Sequence, residues 1–478
     1  MTSGIVAWAA YLPYWRLERK AIGAALGTPA ARGTRSVASY DEDTTSMGVE
    51  AARAALAPPG LPAPADVLFS TPAPAYLDKT NAAAIHAALG LGGAAGAYDM
   101  CGSVRSGVAT LRAAAAGGAQ RPTLAVLADL RTGLPGGAEE RDAGDGAAAF
   151  LFAPDGAVAE RIGSAAASDE FLDRWRVPGE DASHQWEERF GETIYVPLAH
   201  AAFADAIKDA GITADEVDHL VVAGLHARAA RAVTASLGVR TDSISPDMTA
   251  TAGNLGAAQE GAALADVLER ATPGQVIALV LLADGVDVVI LRTTEALTAA
   301  QAARKAAGVI TVAESLAAAG ASVSYANFLT WRGQLVREPP RRPDPDAPAG
   351  PPSHRTEAWK FGFVASRCLR CGTRHLPPTR VCVSCHAVDE MGPERLADAR
   401  GTVATFTVDR LAYSLSPPVV AAVVDLDGGG RFSCEMTDVD PATVAIGNRV
   451  KMTFRRLFTA DGVHNYFWKA KPLRATEG

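Results

Sequence analysis

Short apolar runs of strand type alternate with longer runs of helical period along the first third of the chain. Strands are predicted at Gly4–Ala10, Val67–Ser70, Thr123–Asp129 and Ala147–Ala153, because apolar runs of this length between turn residues are typical of buried strands. Helices are predicted at Lys79–Leu89 and at Ser46–Leu56, which follows an acidic and threonine capping segment. This alternation predicts a layered α/β domain.

The next part of the chain repeats this plan. The predicted strands are His219–Gly224, Gln275–Ala283 and Val286–Arg292, and the predicted helices are Tyr195–Ala210, Ala227–Leu237 and Ala257–Glu269. We therefore predict an internal duplication, with one half at 1–165 and the other at 166–336. A site is expected where the halves meet, because the loops at strand ends converge there.

A proline-rich segment follows the two halves. Arg337–Pro352 holds seven prolines and predicts a linker over 337–357. Beyond it, 358–397 is predicted to form a zinc ribbon and 398–478 a small antiparallel β-barrel of OB type. The predicted barrel strands are Gly401–Val408, Val419–Asp425, Arg431–Glu435, Arg449–Phe458 and Asn465–Lys469.

Composition narrows the function classes. Of the 478 residues, 48% are hydrophobic and 21% are charged, so a large core is expected. The formal net charge of −8 argues against a general nucleic-acid binder. No apolar run is long enough to predict a membrane span. Met1–Trp15 lacks the basic start of a signal peptide and is interpreted as a first strand and turn.

The cysteines indicate a metal site. Four of the six, Cys368, Cys371, Cys382 and Cys385, form two Cys-x-x-Cys pairs. Such pairs can hold a tetrahedral zinc ion, and four thiolates leave no open coordination position, so a structural role is predicted. This clustering, rather than a disulfide framework, favours the reducing cytoplasm.

Cys101 is the strongest candidate for chemistry. It follows a short extended segment and precedes the Ala-rich helical run Val108–Ala116. A thiol at a helix N-terminus faces the positive end of the helix dipole, which favours the nucleophilic thiolate. The alternative is a structural cysteine, since free Cys is among the most buried residue types.

Two further residues could complete a thioester site. His226 follows the strand His219–Gly224, and Asn254 lies between glycines at the start of a predicted helix. Acyl transfer by a cysteine needs a proton-handling group and hydrogen-bond donors for an oxyanion, which an imidazole and an amide can supply. Taken separately, His226 could be a surface loop residue and Asn254 a helix cap or turn residue.

These residues carry a resemblance. Residues 1 to about 340 resemble the thiolase superfamily, nearest to hydroxymethylglutaryl-CoA synthase-like proteins, in the segments Asp41–Leu56, Asp99–Cys101, Gly144–Ala147, Gly253–Gly256 and Ser324–Leu329 and at His226. The remainder resembles the rubredoxin-like zinc ribbon and OB-fold domain that accompany such enzymes. The implied fold is a duplicated α-β-α-β-α thiolase-like domain followed by the ribbon and the barrel.

The resemblance also implies roles. Cys101 would take an acyl group from a CoA thioester, while His226 and Asn254 would hold the carbonyl of a second acyl-CoA. The backbone near Gly256 would form an oxyanion site, and Arg35 would contact the CoA nucleotide. The implied activity is acyl transfer with carbon–carbon bond formation of Claisen or aldol type, in a homodimer joined through the thiolase-like domain.

One position departs from this family. The glutamate that serves as its general base falls in a segment aligned with 70–76, where this chain has Pro72 and no carboxylate before Asp78. Hydroxymethylglutaryl-CoA formation itself is therefore not predicted. The alternative is a thiolase-like aldolase that acts on a 3-hydroxyacyl-CoA without a covalent intermediate, with Tyr76 or His184 handling the proton. A second alternative is a non-catalytic scaffold that channels acyl-CoA.

The predicted barrel also carries a basic cluster interleaved with aromatic residues. Its members are Lys451, Arg455, Arg456, Lys469 and Lys471. Such a surface could bind RNA or the phosphates of CoA, or it could simply be solvated. Beside a condensing domain, a role in substrate access is preferred and nucleic acid is not expected.

Overall fold

The structure is a computed structural model that describes residues 3–318, 320–341, 343 and 345–474. The strands of the first half are β1 Gly4–Tyr11, β2 Trp15–Glu18, β3 Thr34–Val37, β4 Asp66–Thr71, β5 Gly96–Cys101, β6 Thr123–Asp129 and β7 Gly146–Ala153. Its helices are α1 Arg19–Leu26, α2 Thr44–Ala55, α3 Ala82–Leu89, α4 Ser106–Gly118 and α5 Ala138–Asp142.

The second half follows a similar order. Its strands are β8 Ala159–Ser168, β9 Arg174–Trp175, β10 His184–Gln185, β11 His219–Gly224, β12 Val276–Leu282 and β13 Gly285–Thr293. Its helices are α6 Glu188–Ala210, α7 Ala227–Ser236, α8 Gln259–Arg270, α9 Ala296–Ala306, α10 Val312–Ala317 and α11 Tyr325–Trp331.

The C-terminal region begins with α12 Gly350–Arg355 and α13 Glu357–Lys360. The ribbon strands are β14 Val364–Cys368, β15 Arg374–His375 and β16 Met391–Arg395. The barrel strands are β17 Arg400–Asp409, β18 Val419–Leu426, β19 Arg431–Met436, β20 Arg449–Ala460 and β21 Val463–Pro472. They close in the order β17-β18-β19-β21-β20, so each predicted barrel strand is present.

The sheet of the first two halves reveals the duplication. Its order across residues 3–318 is β11-β12-β13-β8-β1-β7-β6-β4-β5. The halves meet where β1 and β8 pair through Gly4 and Ile5. From that junction, β1-β7-β6-β4-β5 on one side is mirrored by β8-β13-β12-β11 on the other. In the second half, a parallel bridge between Leu220 of β11 and Ile244 takes the place beside β11 that β5 takes beside β4 in the first half. This topology confirms the predicted duplication, whereas the predicted boundary between residues 165 and 166 falls inside β8.

Helices fill three layers around these strands. The small residues of α4 and α8 pack between the two halves of the sheet, against Ala148 and Phe150 of β7 among others. One outer layer holds α2 and α3, and the other holds α6 and α7. This is the predicted α-β-α-β-α arrangement. Among the described residues, no helix combines the length and apolarity needed to cross a membrane.

The barrel docks on the start of α2 through buried ion pairs. Arg455 of β20 donates to Glu42 at 2.7 Å, and Lys469 of β21 lies 3.0 Å from Asp41. Lys471 pairs with Glu50 at 3.1 Å. The prediction of a solvent-facing basic cluster is therefore wrong for Arg455, Lys469 and Lys471, which are buried. The acidic segment before α2, interpreted from sequence as a helix cap, supplies partners to Arg455 and Lys469.

Candidate active site and metal centre

Cys101 ends β5, the last strand of the sheet order, and is exposed. The parallel neighbour β4 aligns Thr71 with Cys101, so the strand ends direct the thiol to the junction of the halves. Partial desolvation by neighbouring residues, followed by the Asp99 carboxylate, raises the pKa of Cys101 to about 11. The prediction of a stabilised thiolate is therefore wrong. The helix α4 begins only at Ser106, and Asp99 opposes a second negative charge.

His226 lies directly before α7 and is buried. Its Nδ1 accepts a hydrogen bond from the Ala229 backbone N–H at 3.0 Å, which caps the helix. Its Nε2 lies 2.9 Å from the Glu188 carbonyl oxygen. Because Nδ1 accepts and a carbonyl can only accept, these partners assign the neutral tautomer with the proton on Nε2. The imidazole is thus arranged as a hydrogen-bond donor.

Cys101 and His226 meet in a cavity of about 810 Å³ at the junction of the halves. Its lining includes Pro72, Cys101, Ser103, Arg131, Asp173, Arg174, Arg176, Glu180, Tyr195, His226 and Asp284. Arg131 is neutralised by Asp129 at 3.1 Å and by Glu139. The volume is ample for an acyl thioester with its pantetheine arm.

Pro72 lines the cavity, and the absence of the family's general-base glutamate from its segment stays a prediction. Its backbone carbonyl accepts a hydrogen bond from the Arg176 guanidinium, so this edge of the cavity carries a cation. The two residues proposed for proton work in the aldolase alternative do not line the cavity. Tyr76 accepts a hydrogen bond from the His464 backbone at 2.7 Å, and His184 stacks on Trp175 at the surface.

Asn254 connects the halves instead of lining the cavity. Its Nδ2 donates to the Gly224 carbonyl at 2.7 Å, and its Oδ1 accepts from the Gly256 N–H at 3.0 Å. The role of Asn254 toward a bound carbonyl stays a prediction. The Gly256 N–H is thus engaged by Asn254, and the oxyanion site predicted in the backbone near Gly256 stays a prediction. A Cβ at Gly256 would lie 1.8 Å from Asp129 Oδ2, so this glycine serves close packing.

The prediction for Arg35 is also wrong. Its side chain is fully buried, where it donates to the Arg131 carbonyl at 2.7 Å and pairs with Asp145 at 3.3 Å. The guanidinium also lies over the Phe328 ring. Arg35 therefore braces the loops around β7 and cannot reach a nucleotide.

Sequence reasoning missed Asp173. This residue lies between β8 and α6, and its Oδ1 is 3.9 Å from His226 Nε2. The segment has no helical or strand period that would have marked it as buried. Only the packing of α6 against α7 places it in the site.

The four ribbon cysteines form a candidate metal centre. Their sulfur atoms all lie within 4.8 Å of one another, with 3.6 Å between Cys368 and Cys385 and 3.5 Å between Cys371 and Cys382. Tetrahedral zinc with Zn–S bonds of about 2.3 Å requires sulfur separations of roughly 3.8 Å. Backbone N–H groups of Ser384 and Cys385 also point at the Cys382 sulfur. The donor set therefore fits one tetrahedral metal ion without an open position.

Comparisons with known proteins agree with both parts of the chain. The family model described as ChsH2, C-terminal OB-fold domain, matches residues 394–455. The hydroxymethylglutaryl-CoA synthase of Aeropyrum pernix is 29% identical over 289 residues, which covers 57% of this chain and 79% of that protein. A DUF35 domain-containing scaffold protein of Methanocaldococcus jannaschii is 31% identical over 119 residues, or 24% of this chain and 84% of that protein.

The fold of the first two halves also has solved counterparts. A crystal structure of hydroxymethylglutaryl-CoA synthase complexed with CoA matches with a TM-score of 0.59 at 17% identity, covering 69% of this chain and 90% of that chain. A likeness at this identity shows the shared thiolase-like fold. The chain therefore combines a hydroxymethylglutaryl-CoA synthase-like domain, which has the thiolase-like fold of such acyltransferases, with a C-terminal domain that belongs to the DUF35 family.

Proposed function

We propose that this protein transfers acyl groups from CoA thioesters and forms carbon–carbon bonds through an acyl thioester on Cys101. The observation that carries the proposal is that Cys101 of the first half and His226 of the second line one cavity. The hydroxymethylglutaryl-CoA synthase relatives support CoA thioesters as the substrate class. The acyl donor and acceptor are proposed only as CoA thioesters, because the general-base glutamate of that family is not expected at the Pro72 edge of the cavity.

In the first step, the Cys101 sulfur attacks the thioester carbonyl and the bond between that carbonyl and the CoA sulfur breaks. The raised pKa of Cys101 keeps the resting thiol protonated. Its proton therefore leaves only as the new bond forms, and it goes to the departing CoA sulfur. His226 Nε2–H donates to the oxygen that gains charge. In the second step, an enolate forms the new carbon–carbon bond, in a condensation of Claisen or aldol type.

An exchange assay tests the first step. With acetyl-CoA and isotopically labelled free CoA, the wild-type protein is expected to move label into acetyl-CoA without any acceptor. His226→Ala should slow this exchange by about 10²-fold or more, since it removes the positioned hydrogen-bond donor to the oxygen that gains charge. His200→Ala, at an exposed helix position bonded to Ser236, should exchange as the wild type does. Absence of exchange in the wild type would overturn the proposed function.

One observation favours the aldolase as a second candidate. A thiol with a pKa of about 11 is a poor resting nucleophile, and an aldolase of this fold needs none. That activity would release a free carbonyl product from a 3-hydroxyacyl-CoA, and it would survive in Cys101→Ala.

We also propose that the four ribbon cysteines hold a structural zinc ion, which ties the two knuckles of the ribbon together. Cys368→Ser is expected to lower bound zinc from about one ion per chain to near zero, because a three-thiolate site loses most of its affinity. Cys434→Ser is the matched control, since this cysteine lies in barrel strand β19 away from the cluster. Metal content measured by inductively coupled plasma mass spectrometry checks both. Zinc retained at full stoichiometry in Cys368→Ser would contradict the assignment.

The proposal also covers the oligomeric state and the cellular compartment. A homodimer would form through the thiolase-like domain, where β5 is the last strand in the sheet order and Tyr98 is exposed. The four ribbon cysteines form no disulfide with one another, which favours a reducing compartment such as the cytoplasm.

A further inference from the structure

Asp173 is a buried carboxylate at the candidate site. It is 4% exposed and lines the same cavity as Cys101 and His226. Within the described part of the chain its carboxylate accepts no hydrogen bond, and its Oδ1 is fully enclosed. Burying a carboxylate without hydrogen bonds costs stability. This arrangement therefore indicates a task in the cavity rather than a contribution to folding.

The carboxylate and the imidazole are packed as a pair. Asp173 Oδ1 lies 3.9 Å from His226 Nε2, the nitrogen that carries the proton. Gly191 of α6 covers both groups. A Cβ there would lie 2.6 Å from His226 Nε2 and 2.7 Å from Asp173 Oδ1, so only glycine permits this approach of the helix backbone.

We propose that Asp173 is the general base that removes the α-proton of the acyl thioester, in place of the glutamate that is not expected in the segment around Pro72. This inference rests on the proposed function and adds its missing proton acceptor. The C–H bond at the α-carbon breaks, and its proton goes to the Asp173 carboxylate. The bonding electrons form the enolate, whose oxygen accepts the hydrogen bond of His226 Nε2–H in place of the Glu188 carbonyl. The enolate carbon then attacks its electrophile.

The other carboxylates that line the cavity are less suited to this task. Glu180 and Asp181 are exposed, and Glu180 is held by the Val177 backbone N–H at 3.1 Å. Asp284 is also exposed; partial burial raises its pKa, and the Arg105 cation opposes that rise. A solvated carboxylate is a weak base, because water stabilises its charge. Asp173 combines burial, an unengaged carboxylate and contact with the group that would hold the enolate oxygen.

The surroundings of Asp173 also tune its basicity. Burial raises its pKa, while the charge of the adjacent Arg174 opposes that rise. Tyr195 and Asp284 are the remaining titratable groups whose charges couple to it, from α6 and from the turn before β13. Only the ionised carboxylate accepts a proton, so the rate of proton removal should fall as pH drops through this raised pKa.

Deuterium exchange isolates this step from the rest of the reaction. Acetyl-CoA is incubated with the full-length protein in D₂O, and deuterium entry into the acetyl methyl group is followed by NMR against pD. Acylation of Cys101 is measured on the same samples by intact mass. The variants are Asp173→Asn, which removes the base but keeps the shape, and Asp169→Asn. Asp169 is an exposed residue of the same connection outside the cavity lining.

The expected result is a loss of about 10²-fold or more in methyl deuteration for Asp173→Asn, together with loss of the acidic limb of the pD profile. Acylation of Cys101 should stay within about threefold of the wild type, because Asp173 has no part in that step as proposed here. Asp169→Asn should match the wild type in both measurements.

Two results would overturn the assignment. Undiminished deuteration in Asp173→Asn would show that another group takes the proton. An equal loss of acylation and deuteration would make Asp173 a structural support of His226. If the wild-type protein neither acylates Cys101 nor exchanges deuterium, the proposed function itself is wrong. This outcome is distinct from failure of the Asp173 assignment, because it is seen without any variant.

Discussion

Cys101→Ala is expected to abolish acyl transfer. The variant keeps the end of β5 and the start of α4 but has no sulfur to hold the acyl group, so the exchange of label between acetyl-CoA and free CoA should fall to the uncatalysed background. No other described cysteine lines the cavity, and an alanine cannot form the thioester at all. Initial rates with matched protein concentrations check this expectation.

A second cysteine provides the control for this experiment. Cys434 lies in the barrel, where burial raises the pKa of its thiol to about 12, so Cys434→Ala should exchange at the wild-type rate. Full exchange by Cys101→Ala would contradict the covalent mechanism. Loss of exchange with retained cleavage of a 3-hydroxyacyl-CoA would favour the aldolase.

Arg455→Met is expected to destabilise the docking of the barrel by about 3–5 kcal/mol. The guanidinium is fully buried, donates to Glu42 at 2.7 Å and to Asp438 at 2.5 Å, and lies 3.7 Å from Asp41. Methionine fills the volume but leaves these carboxylates without their shared cation in a buried interface. The free energy of unfolding from denaturant titration, followed by tryptophan fluorescence, measures the loss.

The matched control is a surface arginine of the same barrel. Arg431 pairs with Asp425 at 2.6 Å, but their side chains are 66% and 49% exposed. Exposed pairs of this kind contribute about 0–1 kcal/mol, so Arg431→Met should change stability little. Equal effects of the two substitutions would show that the interface does not depend on the buried cation.

Much of the fold could be predicted because buried hydrophobic residues recur at regular intervals along many of its helices and strands. The strand Thr123–Asp129 is buried along its whole length and is predicted at its observed bounds. The capping segment predicted at Asp41–Thr45 contains Asp43, which forms a capping box with Ser46. The strand β8 was missed, since its short run of alanines and a glycine carries little strand signal. The helix α6 begins earlier than predicted because its first turns, Glu188–Gly191, are polar and resemble a loop.

The candidate site was predictable only in part. Cys101 and His226 stand beside recognisable strand ends, and the resemblance joined them. Arg35 is misplaced by the resemblance, which implies a contact with the CoA nucleotide, whereas Asp145 and backbone carbonyls hold the guanidinium inside the fold. Asp173 could not be found, since its burial arises from α6 and α7 packing together and leaves no periodic pattern in the sequence.

The most direct test of the central claim is the mass of the intact wild-type protein after brief incubation with acetyl-CoA. The proposed function predicts an increase by one acetyl group per chain, which peptide mapping places on Cys101 and which free CoA removes. An unchanged mass, or an acetyl group found only on another residue, would contradict the account.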